Sequence, residues 1–188
     1  MFVWYHDDAA RTAAVSYTAT MYPDPNDRPA VHYLHSTLPY WAEVQGQFLI
    51  QYDMMGVRNA KRRVINVPGV RIMDGDGRAL PAGVVTGNLC STSVCLGNDA
   101  RTGAMGGSLE EQTRLAFRNA RSVIEAAGFS SADLGHLYVW YTDQAARDTV
   151  DKVWAEVFPR PEDRPPRHSL VTDLPPGALG GVEATAAR

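Results

Sequence analysis

The sequence predicts an α+β domain, a mixed sheet packed on two helices. Three observations carry this. Residues 2–50 return at 138–186 at a constant offset of 136. The strongest helical pattern, at 108–127, lies between β-rich segments. Residues 60–188 then read in the order strands, helix, strand, helix, strand, strand, as expected of helices laid on one face of a sheet.

The repeat comes first, because a unit read twice changes how every element is read. Phe2-Val3-Trp4-Tyr5 matches Tyr138-Val139-Trp140-Tyr141, His32 matches His168, and Leu38-Pro39 matches Leu174-Pro175. In the second copy, Leu137–Tyr141 is a short apolar and aromatic run that suits a buried strand. Asp143 then caps a helix. Ala146, Val150, Val153, Trp154 and Val157 form its core-facing stripe. The Pro-rich segment 159–166 ends that helix. A strand at 168–173, a turn at 174–177 and a last strand at 179–186 follow. The first copy keeps the pattern, with strands at 2–5, 32–36 and about 43–51. Its stripe is Ala10, Ala14, Tyr17, Thr18 and Met21.

Between the copies, Arg63-Val64-Ile65-Asn66 reads as a first strand and 83–96 as a β-rich stretch. Asp74-Gly75-Asp76-Gly77 lacks the remaining calcium-loop ligands and reads as a turn. Ser108-Leu109-Glu110-Glu111 is a capping box. It opens a helix with Ala116, Ala120, Val123 and Ala127 on one face and Gly128 as its stop. Gly103, Gly106 and Gly107 precede that helix, but no GxGxxG or GK[ST] accompanies them, so a phosphate cradle is poorly supported. The expected organisation is a half-unit over 1–52, a connector over 53–62 and a complete unit over 63–188.

Bulk properties exclude some classes. A formal charge of −3 with no run of one sign predicts neither a nucleic-acid surface nor a membrane patch. The first residues lack the basic and apolar regions of a signal peptide, so a cytoplasmic protein is expected. Cys90 and Cys95 are five apart. On one strand they would point to opposite faces, as two buried thiols without a disulfide. No spacing suggests a metal site.

Residues 83–188 resemble the Rid (YjgF) family of reactive-intermediate deaminases. The resemblance rests on Gly87-Asn88, Thr102-Gly103, Glu111-Gln112-Thr113, Asn119, Ala126-Ala127-Gly128 and Tyr141-Thr142-Asp143. Near the C-terminus it rests on Pro165-Pro166-Arg167, Leu174-Pro175 and Val182-Glu183-Ala184. It implies a chorismate-mutase-like fold and a homo-oligomer, usually a trimer closing a central barrel, or here a pseudo-trimeric assembly. It also implies ligand clefts between subunits. Enzymes of the family hydrolyse enamines and imines to keto acids and ammonia without a cofactor. The implied ligand is a small carboxylate-bearing imine or keto acid.

By resemblance, Arg167 holds the substrate carboxylate and Glu183 holds or activates the water. A guanidinium offers a planar fork that stays charged when desolvated. A carboxylate within reach of that water is a sensible base. Read from its neighbours alone, Arg167 is expected to pair with Asp163 or Glu162 as a surface ion pair, and it is the resemblance that points to the ligand role instead. Ser93 and Ser169 are expected to line the pocket. Leu80 stands where the family has a tyrosine, and Val94-Cys95 where it has Gly-Gln. The expected pocket is therefore drier and differently shaped. In the first copy, the offset puts Val31 at the Arg167 position and Gln47 at the Glu183 position, so that copy is expected to be inactive. Three readings follow: an imine hydrolase, a non-catalytic ligand-binding or scaffold homologue, and a different reaction on a carboxylated substrate in the same cleft. A ribonuclease role, sometimes attached to the family, is disfavoured by the acidic balance.

Overall fold

The computed structural model describes residues 2–5, 7–24, 29, 32–35, 50–70, 72–73 and 79–188. Val31, Gln47, Leu38-Pro39 and the Asp74–Gly77 turn lie outside them. The elements run β1 (Phe2–Tyr5), α1 (Asp8–Met21), β2 (His32–His35), β3 (Ile50–Asp53), β4 (Arg62–Ile65), β5 (Ile72–Met73) and β6 (Ala79–Leu80). They continue as β7 (Gly83–Thr86), β8 (Leu89–Thr92), β9 (Cys95–Leu96), α2 (Leu109–Ala126), β10 (Leu134–Tyr141), α3 (Arg147–Val157), β11 (Arg167–Val171) and β12 (Gly180–Ala187).

The main sheet is mixed, in the order β11-β10-β12-β8-β7-β4, with β9 also pairing β12. Gly87 makes the two-residue β7–β8 turn possible, because its φ of 62° suits the first position of a tight hairpin. α2 and α3 cover one face of the sheet. Ala116, Ala120, Val123 and Ala127 of α2 pack there with Val150, Val153 and Trp154 of α3. From the sheet they meet Leu137, Val139, Val182 and Ala184. Small residues on α2 let it approach closely. A Cβ on Gly97 would lie 2.4 Å from the Gln112 Cα, so only glycine fits where the β9 end passes the helix.

The helix caps depart from expectation in one detail. Ser108 Oγ accepts from the Glu111 N–H at 3.2 Å, but Glu111 accepts from Gly107 N–H rather than from the cap residue. The Gly103 and Gly106 N–H groups donate to the Asp99 and Gly97 carbonyls. All three glycine donors are spent internally, so this loop offers no phosphate cradle. Val157 is 39% exposed, and in α1 Tyr17 and Met21 are 58% and 37% exposed. Val15 instead joins Ala10, Ala14 and Thr18 in the buried face.

The first strands repeat a local arrangement. β1 pairs β2 in parallel with Phe2 opposite His32, as β10 pairs β11 with Tyr138 opposite His168. Both pairs are separated by the offset of 136. The third strand breaks it. Glu183 lies opposite Tyr138, so the offset would put residue 47 opposite Phe2, but Asp53 is there. The pairing has slipped by six residues, and the counterpart of Glu183 in strand register is Asp53, not Gln47.

Cys90 and Cys95 correct another expectation. They lie on separate strands, opposite Ala186 and Val182, and both enter the same core. Four residues along β12 set them about 13 Å apart. Burial pushes the Cys90 thiol up to about 11 and the Cys95 thiol up to about 12, Glu183 adding to the latter. A neutral, enclosed thiol is a poor nucleophile. The native protein is expected to resist an aromatic disulfide reagent at pH 8 and to release two thiols per chain in denaturant. Fast labelling in native buffer would contradict this packing.

Candidate functional site

Arg167 opens β11 directly after Pro165-Pro166 and lies opposite Leu137. Residues paired across a sheet share a face, so Arg167 points with Leu137 toward the helices. Two residues of α3, three apart and hence on one side of the helix, receive it there. Asp151 pairs with its Nη2, and the guanidinium carbon lies 4.8 Å from the centre of the Trp154 ring. The side chain is 17% exposed. Its Nη1 is buried and has no hydrogen-bond partner among the described residues. Ser169 stands two residues on, on the same face of β11, about 7 Å along the strand. Its Oγ is likewise buried and without a partner among the described residues. The ion pair with Glu162 or Asp163 considered from sequence does not form. Asp163 pairs with Arg160.

The other expected site residues divide between places. Glu183 shares its row with Tyr138 and His168, so it faces away from the helices, opposite to Arg167. It is 5% exposed. Within one chain, the fork and the expected base do not meet on one ligand. Val94 packs with Trp140 on the Glu183 side. Ser93 is fully buried, its hydroxyl donates to the Pro81 carbonyl at 2.7 Å, and its N–H donates to the Ala82 carbonyl. That ties it to the segment holding the buried Leu80. Cys95 shares the helix face and the row of Ser169, but three strand spacings separate them, about 14 Å.

Sequence reasoning missed a polar aromatic group on the second face. His136 Nε2 and His168 Nδ1 are 2.8 Å apart. Tyr138 stacks on Trp140 at 5.4 Å and on His168 at 5.7 Å. The signal was the alternation His136, Tyr138, Trp140 along β10. Burial, then repulsion from His168, holds His136 below its ordinary value of 6.5, while Glu183 opposes this. The unfolded chain therefore takes up its proton first as pH falls. The stability associated with neutral His136 is fully present above about 6.5 and diminishes as pH drops through that value. Melting temperatures at pH 7.5 and 5.5 are expected to differ less in His136→Gln than in the wild type. Equal acid losses in both would exclude the effect.

Comparison with known proteins gives this geometry its setting. The family model for endoribonuclease L-PSP matches residues 79–188. TdcF of Escherichia coli K12, which carries the name reactive intermediate deaminase, is 29% identical over 108 residues, or 56% of this chain and 84% of TdcF. A RutC family protein of Pyrococcus horikoshii is 33% identical over 90 residues, or 47% of this chain and 70% of that protein. The crystal structure of E. coli TdcF with bound serine superposes with a TM-score of 0.59 at 25% identity, covering 67% of this chain and 98% of that one. The E. coli YjgF gene product gives 0.59 at 24% identity, with 67% and 98% covered, and speaks to the fold alone. A mixed sheet carrying two helices on one face, with that match over 79–188, identifies the chain as a member of the endoribonuclease L-PSP family, the YjgF or Rid family.

Proposed function

We propose that this chain is an imine or enamine hydrolase that anchors its substrate carboxylate on Arg167 and Ser169. The observation that carries the reading is a pair of buried polar atoms on one strand face, Arg167 Nη1 and Ser169 Oγ, that have no hydrogen-bond partner among the described residues. A buried donor left unsatisfied costs about 1–3 kcal/mol, and a carboxylate bridging both atoms would remove that cost. Asp151 and Trp154 hold the guanidinium flat, so little side-chain freedom is lost on binding. Water then adds to the C=N carbon of the anchored imino acid, and the resulting carbinolamine expels ammonia to leave a keto acid. No electrons are exchanged, so the step requires no redox cofactor.

Glu183, Val94, Ser93 and Leu80 are a separate group in this reading. The intersubunit clefts that the resemblance implies would let one copy's group complete another copy's anchor in a trimer. The half-unit over 1–52 has Val31 at the position offset from Arg167 and so carries no matching arginine. A second reading, a carboxylate-binding homologue without turnover, is favoured by one observation: Ser93's hydroxyl is committed to a backbone carbonyl.

The test is ammonia release from imines generated by an amino-acid oxidase. The wild type is expected to accelerate it and Arg167→Ala to lose the acceleration. Turnover unchanged in Arg167→Ala overturns the proposal. Carboxylate binding without turnover selects the second reading.

A further inference from the structure

The face of the sheet turned away from the helices carries a pair of imidazoles. His136 on β10 and His168 on β11 are 32 residues apart in the chain, so no ligand spacing marks them. Strand register brings them together. His168 lies opposite Tyr138, two residues beyond His136 and on the same face. His136 Nε2 and His168 Nδ1 stand 2.8 Å apart. The Tyr138 ring supports both imidazoles, edge-on to His136 at 4.5 Å and stacked on His168 at 5.7 Å. His168 is exposed and His136 half-buried, so solvent reaches the pair.

One of the two facing nitrogens carries the proton of that bond, and the other a lone pair. Moving the proton to the far nitrogen of its own ring leaves two neutral imidazoles whose lone pairs face the same gap. A neutral imidazole is the commonest side-chain ligand for a metal ion. The spacing also selects a geometry. Nitrogens about 2.1 Å from one ion are about 3.0 Å apart in neighbouring octahedral or square-planar positions, and about 3.4 Å apart in tetrahedral ones. The observed 2.8 Å is nearer the first. Magnesium and calcium take oxygen ligands and do not suit the pair. The Glu183 carboxylate acts on His136 from the same face, which favours a cation there.

We propose that His136 and His168 chelate a late first-row divalent ion that accepts right-angled coordination, Ni²⁺ or Cu²⁺, with water in its remaining positions. Among the described residues no third histidine, cysteine or carboxylate completes a ligand set with them, which leaves those positions open. Arg167 precedes His168 on β11 and points to the opposite face. The chelate is therefore separate from the Arg167 anchor, and the inference stands without the hydrolase reading. Binding fastens β10 to β11 and stabilises the native chain, because the unfolded chain does not hold the two rings together.

Calorimetric titration of the full chain, free of any added histidine tag, with nickel chloride at pH 7.5 tests it. One ion per chain is expected, with Mg²⁺ bound at least a hundredfold more weakly. His136→Gln and His168→Gln are each expected to weaken Ni²⁺ at least tenfold. His32→Gln, at the repeat position of His168, is expected to leave it within twofold. At a hundred times its Kd, Ni²⁺ should raise the wild-type melting temperature by about 5–10 °C and barely move that of either weakened variant. A second reading needs no variant. Substoichiometric Ni²⁺ should broaden the imidazole NMR signals of His136 and His168 before those of the other histidines. The proposal is overturned if Ni²⁺ does not bind, if either folded glutamine variant binds it as tightly as the wild type, or if another histidine broadens first.

Discussion

Arg167→Ala is expected to lower kcat/KM for a carboxylated imine by about 100-fold, with only a modest loss of stability. One charge-assisted hydrogen bond contributes about 1.5–3 kcal/mol, and each 1.4 kcal/mol is tenfold in rate. Only Nη1 is available, since Nη2 is held by Asp151. The expected loss is therefore that of one strong bond plus the charge, not of a full two-bond fork. Arg167→Lys keeps the charge but gives up the planar group that lies on Trp154, so it should fall between the two, about tenfold down. Ser169→Ala removes a neutral partner and should cost less than Arg167→Ala. Truncating Arg167 also removes its contact with the Trp154 face, about 1 kcal/mol. Asp151 is 44% exposed and returns to water cheaply. Steady-state kinetics with melting curves separate the two effects. Equal kcat/KM in wild type and Arg167→Ala would remove the anchor from the mechanism.

Gln112→Ala should be the most damaging to stability, although Gln112 touches no expected ligand. Its side chain is 2% exposed and makes three bonds. The amide nitrogen donates to the Gly106 and Gly177 carbonyls at 2.9 and 3.0 Å, and the oxygen accepts from the Leu179 N–H at 2.7 Å. It thereby fastens the loop before α2 to the turn that leads into β12. Alanine leaves three backbone groups without their partner, and a loss of about 3–5 kcal/mol follows after partial rehydration. For a chain of this size that lowers the melting temperature by roughly 10 °C. Because β12 carries Val182 and Glu183, exchange of their amide hydrogens should also quicken. A melting temperature within 2 °C of the wild type (about 0.5–1 kcal/mol) would show that the loops are held by other contacts.

Much of the fold was legible because it depends on local chemistry. The Ser108 cap, the buried Ala116–Ala120–Val123 face and the Gly128 stop of α2 follow from propensity and period alone. The stripes read less well where a helix edge meets solvent. Tyr17, Met21 and Val157 fit the spacing yet are exposed, since period locates a face but not its width. A spacing of five puts Cys90 and Cys95 on opposite faces only if one strand carries both. The Ser93-Val94 break resets the alternation.

The candidate site was legible in its residue types and not in its geometry. The sequence by itself determined that an arginine would follow two prolines at a strand start, that a glutamate would sit inside an apolar strand, and that the β1–β2 pattern would recur in β10–β11. These are properties of neighbours along the chain. Only the tertiary structure decided that Arg167 turns toward Asp151 and Trp154 while Glu183 turns toward Tyr138 and His168. It alone placed Asp53 rather than Gln47 opposite Phe2. The physical reason is the two-residue period of a strand. Which face a side chain takes, and which partner it meets, is set by pairing register and by where the helices land, and one step of register reverses it.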